Sequence, residues 1–204
     1  MDTADFWDKA AEKYAKSKIR DMAGYEETLG RMKALLRPQD SVVEIGCGTG
    51  STALELAGSV ASYTGTDISP KMIEIAKSKQ GPSTPQNLQF EVTKADASLP
   101  QGTSVVLALN LLHLLPDLDA TLNHLHNSLP PSGRLIAKTV LLKEGAWYIS
   151  MLLPLLKAIG KAPPIVRLSQ SDVMKALETA GFEVSETIHQ GGAVPRLFTV
   201  ASKK

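Results

Sequence analysis

The nine residues Val42-Val43-Glu44-Ile45-Gly46-Cys47-Gly48-Thr49-Gly50 limit the possible folds more than any others in this chain. A short apolar run of strand character leads directly into glycines at three alternate positions. A strand that enters Gly46-x-Gly48-x-Gly50 and continues as a helix makes a tight turn, and without Cβ atoms its backbone can approach a ligand closely. Glu44 sets a carboxylate inside the apolar run, just ahead of the turn.

Around this segment the apolar spacing switches repeatedly between helical and strand-like, the pattern of an alternating α/β domain. Phe6, Trp7, Ala10, Ala11 and Tyr14 recur at helical spacing, as do Leu29, Met32, Leu35 and Leu36 before Pro38. Strands are expected at 41–45, 61–66, 88–92, 104–109, 134–140, 182–188 and 197–201. A helix follows the glycines over 52–57. Another opens at Ser69-Pro70, an N-cap followed by proline at the first helical position. A third covers about 117–129, and Ser169 with Asp172 resembles a capping box, with Gly181 as the matching C-terminal stop. The expected fold is α/β: a doubly wound seven-stranded sheet, mostly parallel with an antiparallel last strand and helices on both faces.

A chain of 204 residues with 43% hydrophobic content can bury a sizeable core and fits one domain, 1–204, with an N-terminal helical cap at 4–37. A net charge of +1 gives no electrostatic case for nucleic acid as a partner. The lone cysteine, Cys47, excludes an intramolecular disulfide framework and a multi-cysteine metal site. The start "MDTADFWDKA" lacks a signal-peptide pattern, and no apolar run reaches the roughly 18 residues of a membrane span. The expected setting is the cytoplasm without stable membrane insertion. Ala201-Ser202-Lys203-Lys204 reads as a frayed terminus.

The second expected strand ends in "YTGTDIS", which places Asp67 at its carboxyl end, 17 residues past Gly50. There an acidic side chain can accept hydrogen bonds from both hydroxyls of a ribose, so a nucleoside-containing cofactor is implied. The dinucleotide fingerprint requires a third glycine where Ser51 stands. A P-loop is excluded by the missing Gly-Lys-Ser/Thr.

"VVEIGCGTG", Asp67 in "TGTDISPKMIEIAK" and the later "KADASLP" resemble the successive cofactor motifs of class I S-adenosylmethionine-dependent methyltransferases, particularly small-molecule enzymes of the ubiquinone/menaquinone-biosynthesis type. The resemblance covers about residues 5–140 and continues more weakly through "LSQSDVMKALETAGFEV". It implies S-adenosyl-L-methionine as cofactor. Glu44 would support the loop and the cofactor's amino end, while the backbone around Gly46, Cys47, Gly48 and Gly50 would lie against the methionine moiety. Asp67 would bind the ribose hydroxyls, Ile68 and Met72 would pack on the adenine, and Asp96 with Ala97 would meet its amino group. Asn110 in "LALNLLHLL" matches the position beside the methionine portion. His113 matches the first histidine of the family's frequent Leu-His-His pattern, whose second histidine is Leu114 here. Tyr14, in an opening helix similar to the family's, would close over the cofactor.

The reaction implied is displacement at a methyl group carried on a positively charged sulfur, in which the protein supplies alignment and water exclusion. For a hydroxyl acceptor His113 is the best-placed base, with Tyr14 second; a carbon of an already ionised phenol, or an amine, needs little base chemistry. Cys47 suits a packing role, His124 and His126 are expected to face solvent, and His189 lies in an expected loop. No metal site follows from these four histidines. The segment 141–169 breaks the alternation, and three readings stand: a packed helix, a lid over an apolar acceptor lined by Trp147, Tyr148 and Met151, or an interfacial helix. The reading is a methyltransferase for a small apolar or aromatic acceptor. Its alternatives are a non-catalytic S-adenosylmethionine- or partner-binding module and a nucleic-acid methyltransferase. Against the latter, "NLLH" stands where an Asn/Asp-Pro-Pro-aromatic motif would be required.

Overall fold

A computed structural model describes residues 3–19, 21–145, 163 and 165–204. The segment 146–162, with Trp147, Tyr148, Met151 and most of the expected lid 141–169, lies outside the described residues. The chain divides into two compact units, residues 2–94 and 95–204.

The first unit opens with two helices, α1 (Thr3–Lys16) and α2 (Met22–Leu35). It continues through β1 (Ser41–Ile45), α3 (Ser51–Leu56), β2 (Ser62–Asp67), α4 (Pro70–Ser78) and β3 (Leu88–Val92). β2 pairs in parallel with β1 on one side and β3 on the other; Glu44 stands opposite Gly65 in one ladder, and Asp67 opposite Val92 in the other. Parallel strands are covered on both faces and therefore read as continuous apolar runs, and Val42, Val43 and Ile45 are each at most 2% exposed. Ser69 caps α4 by accepting from the Met72 amide at 3.1 Å, with Pro70 in the first turn.

The second unit holds β4 (Val105–Leu109), α5 (Leu118–Ser128), β5 (Arg134–Val140), α6 (Gln170–Thr179), β6 (Phe182–Gln190) and β7 (Arg196–Lys203). β4 and β5 are parallel, whereas β7 runs antiparallel to both β5 and β6. The strand order is β3-β2-β1-β4-β5-β7-β6, a seven-stranded Rossmann-like sheet with antiparallel β7. The capping box at Ser169 and Asp172 is formed in both directions.

Three local expectations are corrected. The terminal residues are not frayed: β7 extends to Lys203, whose amide donates to Gly133 O and whose Nζ donates to Leu129 O at 2.8 Å. Sequence alternation understates a strand when polar residues occupy its edge positions, and only pairing with β5 and β6 reveals its true end. His189 lies in β6 rather than a loop, 3.1 Å from Glu144 Oε2. His124 and His126 are not simply solvent-facing. His124 Nε2 lies 3.0 Å from the Ala97 carbonyl, and the His126 ring stands edge-on to Phe182 with centroids 5.1 Å apart. Among the described residues no helix is long and apolar enough to cross a membrane.

Candidate cofactor and active site

In the first unit, β1 ends directly in the glycine turn. Gly46, Gly48 and Gly50 adopt φ values of 68°, 56° and 73°, the left-handed region that costs another residue about 1–2 kcal/mol. The positions differ in their surroundings. A Cβ on Gly50 would fall 2.6 Å from Phe90 Cζ and 2.9 Å from Ala76 Cβ, so that glycine is required by packing as well as conformation. A Cβ on Gly48 would meet only Tyr14 Cε1, at 3.7 Å. The turn therefore has a bare face at Gly48 with the Tyr14 ring beside it.

Asp67 closes β2 and is 9% exposed. Its Oδ2 accepts from the Gly48 amide and its Oδ1 from the Ser69 amide, each at 2.9 Å. Burial raises its pKa above the ordinary aspartate value. The amides of Ser69 and Gly48 oppose that shift, and the negative charge of Asp8 adds to it. The carboxylate is thus fastened to the glycine turn on one oxygen and to the start of α4 on the other. A carboxylate has about four acceptor positions, so with the amides of Gly48, Ser69 and Ile68 around it the group keeps capacity for a further donor.

Glu44 is 2% exposed, and its Oε2 accepts from the Tyr63 hydroxyl at 2.9 Å. Burial pushes its pKa up to about 7; the Tyr63 hydrogen bond works against the shift and the Asp67 charge works with it. Cys47 is 9% exposed, and burial followed by the charges of Glu44 and Asp67 holds its thiol well above its usual range. A thiol so held is protonated and a poor nucleophile. Its Sγ would stand 3.1 Å from a Cβ placed on Gly65, which makes it a filler between turn and strand.

Tyr14 is 53% exposed, and its ring meets Trp7 edge-on at 6.4 Å. Desolvation of its phenol, followed by the charges of Glu44 and Asp67, raises its pKa. A phenol held protonated near two carboxylates donates a hydrogen bond more readily than it removes a proton. Met72 is 2% exposed in the first turn of α4, and Ile68 is half-buried.

Two residues that bear on this site carried no sequence signal. Lys79, just past α4, donates from Nζ to Thr49 O at 2.8 Å, to Thr49 Oγ1 at 2.9 Å and to Ser51 Oγ at 3.1 Å, tying down the far side of the glycine turn. Tyr63 is fully buried and satisfies Glu44. The register of β1 against β2, which no linear spacing reveals, brings that pair together.

In the second unit, Asp96 is exposed in a turn and the Ala97 carbonyl is held by His124. Asn110 follows β4 with φ 54°, exposed, its amide donating to Lys138 O at 2.6 Å. Such a conformation is sparse for residues other than glycine and recurs at ligand clamps. His113 sits on a short 3-10 turn, Leu112–Leu114, and is 8% exposed. Its Nδ1 lies 3.3 Å from Thr139 Oγ1, and its carbonyl accepts from the Val166 amide at 2.8 Å. Burial lowers its pKa to about 4, so the imidazole is neutral at neutral pH.

Residues 43–135 match the family model described as a methyltransferase domain. A reducing polyketide synthase, grgA, from a Penicillium species is 29% identical over 194 residues, covering 85% of this chain and 7% of that protein. A non-reducing polyketide synthase from Aspergillus terreus is 36% identical over 107 residues, 47% of this chain and 4% of that protein. The chain thus spans only a small fraction of the length of these relatives. Magnesium protoporphyrin IX methyltransferase (ChlM) from Synechocystis PCC 6803, solved with bound SAH, superposes with a TM-score of 0.75 at 21% identity, covering 98% of each chain. A putative methyltransferase solved in complex with the Haloferax volcanii Trm112 methyltransferase activator gives a TM-score of 0.78 at 19% identity, covering 98% of this chain and 97% of that one. At these identities the superpositions speak to the fold. Residues 43–135 thus match a methyltransferase-domain model, and the chain has the Rossmann-like fold of the solved methyltransferases on which it superposes.

Proposed function

We propose that this enzyme moves the methyl group of S-adenosylmethionine to a small apolar or aromatic acceptor. The observation that carries the reading is Asp67, a buried carboxylate at the end of β2, held by the Gly48 and Ser69 amides with acceptor capacity left. The residues fit the cofactor: Asp67 takes the ribose hydroxyls, and the bare backbone at Gly46 and Gly48 leaves room for the amino-acid end. Tyr14 covers that end, Glu44 supports the turn from beneath, and Cys47 and Gly50 keep its shape. Ile68 and Met72 serve the adenine side. When bound, the cofactor supplies a methyl group on a positively charged sulfur, activated without help from a protein nucleophile.

The chain's own task is alignment, exclusion of water and handling of the acceptor's proton. A neutral His113 can accept a proton, but with its pKa lowered to about 4 it is a weak base. It therefore suits an acceptor that already gives up its proton easily, such as a carbon flanked by carbonyl groups or an acidic phenol, better than an alcohol. The similarity to polyketide synthases supports a polyketide-like acceptor with such a carbon.

The test is a screen of 1,3-dicarbonyl, phenolic, alcohol and amine acceptors with methyl-labelled S-adenosylmethionine. Label transferred to the carbon acids or phenols is the expected result. Cofactor binding without transfer to any class would favour a binding module.

A further inference from the structure

Helix α1 is fastened to the cofactor half at two points. Six residues before Tyr14, the half-buried Asp8 accepts through Oδ1 from the Ser69 hydroxyl and from the Lys71 amide, the latter at 3.0 Å. Ser69 is the N-cap of α4, and its own amide donates to Asp67 Oδ1. Asp67 Oδ2 in turn accepts from Gly48, the residue that Tyr14 flanks. A continuous chain of hydrogen bonds therefore runs Asp8, Ser69, Asp67, Gly48, and the same helix that begins it at Asp8 ends beside it at Tyr14. Between the two points Ala11 is completely buried, and the Phe6, Trp7 and Tyr14 rings stack edge-on along the helix.

We infer that Asp8 is a positioning residue, a latch whose bonds to Ser69 and Lys71 hold α1 closed and so keep Tyr14 seated over the glycine turn. The chemistry favours a latch over a general surface contact. A carboxylate aimed at the first turn of α4 gains from the helix dipole and makes charge-assisted hydrogen bonds, whereas the rest of the α1 polar face is solvated. It is also a releasable attachment, because both donors can turn to water when the helix lifts. Opening of α1 then becomes the step through which cofactor enters and demethylated product leaves. The inference rests on the cofactor reading above for its ligand, but not for the latch itself.

The test compares Asp8→Ala, Asp8→Lys and Asp8→Asn with the intact chain. Alanine is a better helix former than aspartate, so Asp8→Ala does not weaken α1 intrinsically. Amide hydrogen exchange in residues 3–16 of the ligand-free protein should rise at least tenfold for Asp8→Ala and more for Asp8→Lys. Asp8→Asn, which keeps an acceptor oxygen but loses the charge, should fall between wild type and Asp8→Ala. Unchanged exchange in the alanine and lysine variants overturns the latch whatever the ligand. S-adenosylhomocysteine should dissociate about tenfold faster from Asp8→Ala, and adding that change to Tyr14→Ala should alter the rate less than twofold further. Fully additive effects would show that Asp8 does not act through Tyr14 and overturn the positioning role. Absence of S-adenosylhomocysteine binding to the intact chain defeats the cofactor reading instead, and the exchange measurement still decides the latch.

Discussion

The Gly48 amide donates to Asp67 Oδ2 at 2.9 Å, joining the turn after β1 to the end of β2 across 19 residues of sequence. One carboxylate thus holds the turn in shape and keeps acceptor capacity beyond these bonds. Asp67→Ala should weaken S-adenosylmethionine binding by roughly 10- to 150-fold, the equivalent of about 1.5–3 kcal/mol for a hydrogen bond to a charged group. Calorimetry with the folded variant checks this, and unchanged affinity would remove Asp67 from the site.

Glu44 makes stability depend on pH in a defined direction. Its pKa is raised from 4.5 to about 7 in the folded state, so the native protein holds its proton more tightly than the unfolded chain. Its contribution is fully favourable below about pH 4.5 and declines as pH rises towards 7. Glu44→Gln, which can still accept from Tyr63, should flatten the change in melting temperature between pH 5 and 7 and raise it most above pH 7. An unaltered pH profile would show that Glu44 is not the group responsible.

Tyr63→Phe removes the donor from a carboxyl that is 2% exposed. The loss should cost about 1–3 kcal/mol by urea denaturation, with the larger effect above pH 7 where Glu44 is ionised.

The glycines separate conformation from space. Gly50→Ala adds a Cβ 2.6 Å from Phe90 at φ 73° and should destabilise the fold by several kcal/mol, combining about 1–2 for the left-handed backbone with about 1–3 for overpacking. Gly48→Ala has room and should cost only the conformational part, while reducing cofactor affinity more than Gly50→Ala does in its surviving folded fraction. Equal melting temperatures for the two variants would refute the distinction.

His113→Ala should lower turnover by about 10² to 10⁴ while leaving cofactor affinity near wild type. With its pKa at about 4, the intact enzyme should show a pH-independent rate from about pH 6 upward and lose activity only as pH falls towards 4. A fully active, folded variant would leave alignment alone to account for the rate.

The sequence by itself determined the parts whose causes are local. Glycines at 46, 48 and 50 announce left-handed turns because few other residues tolerate them, and each does adopt positive φ. Ser69-Pro70 and Ser169 with Asp172 announce helix starts because their side chains satisfy amides within one turn, and they do so here. The buried parallel strand 41–45 was legible to the residue from its apolar run, and the edge strand 88–92 from the alternation of Leu88 and Phe90 with polar residues. Only the tertiary structure decided the features that depend on partners distant in sequence. Pairing of β7 with β5 and β6 carried the chain's end to Lys203, and strand register set Tyr63 against Glu44. Packing of α1 on α4 brought Asp8 to Ser69, and the end of α4 delivered Lys79 to the glycine turn. In each case a polar side chain has many acceptable partners in principle, and linear spacing does not choose among them. Burial chooses, because a polar group removed from water must find its partner among whatever the fold places within hydrogen-bond distance.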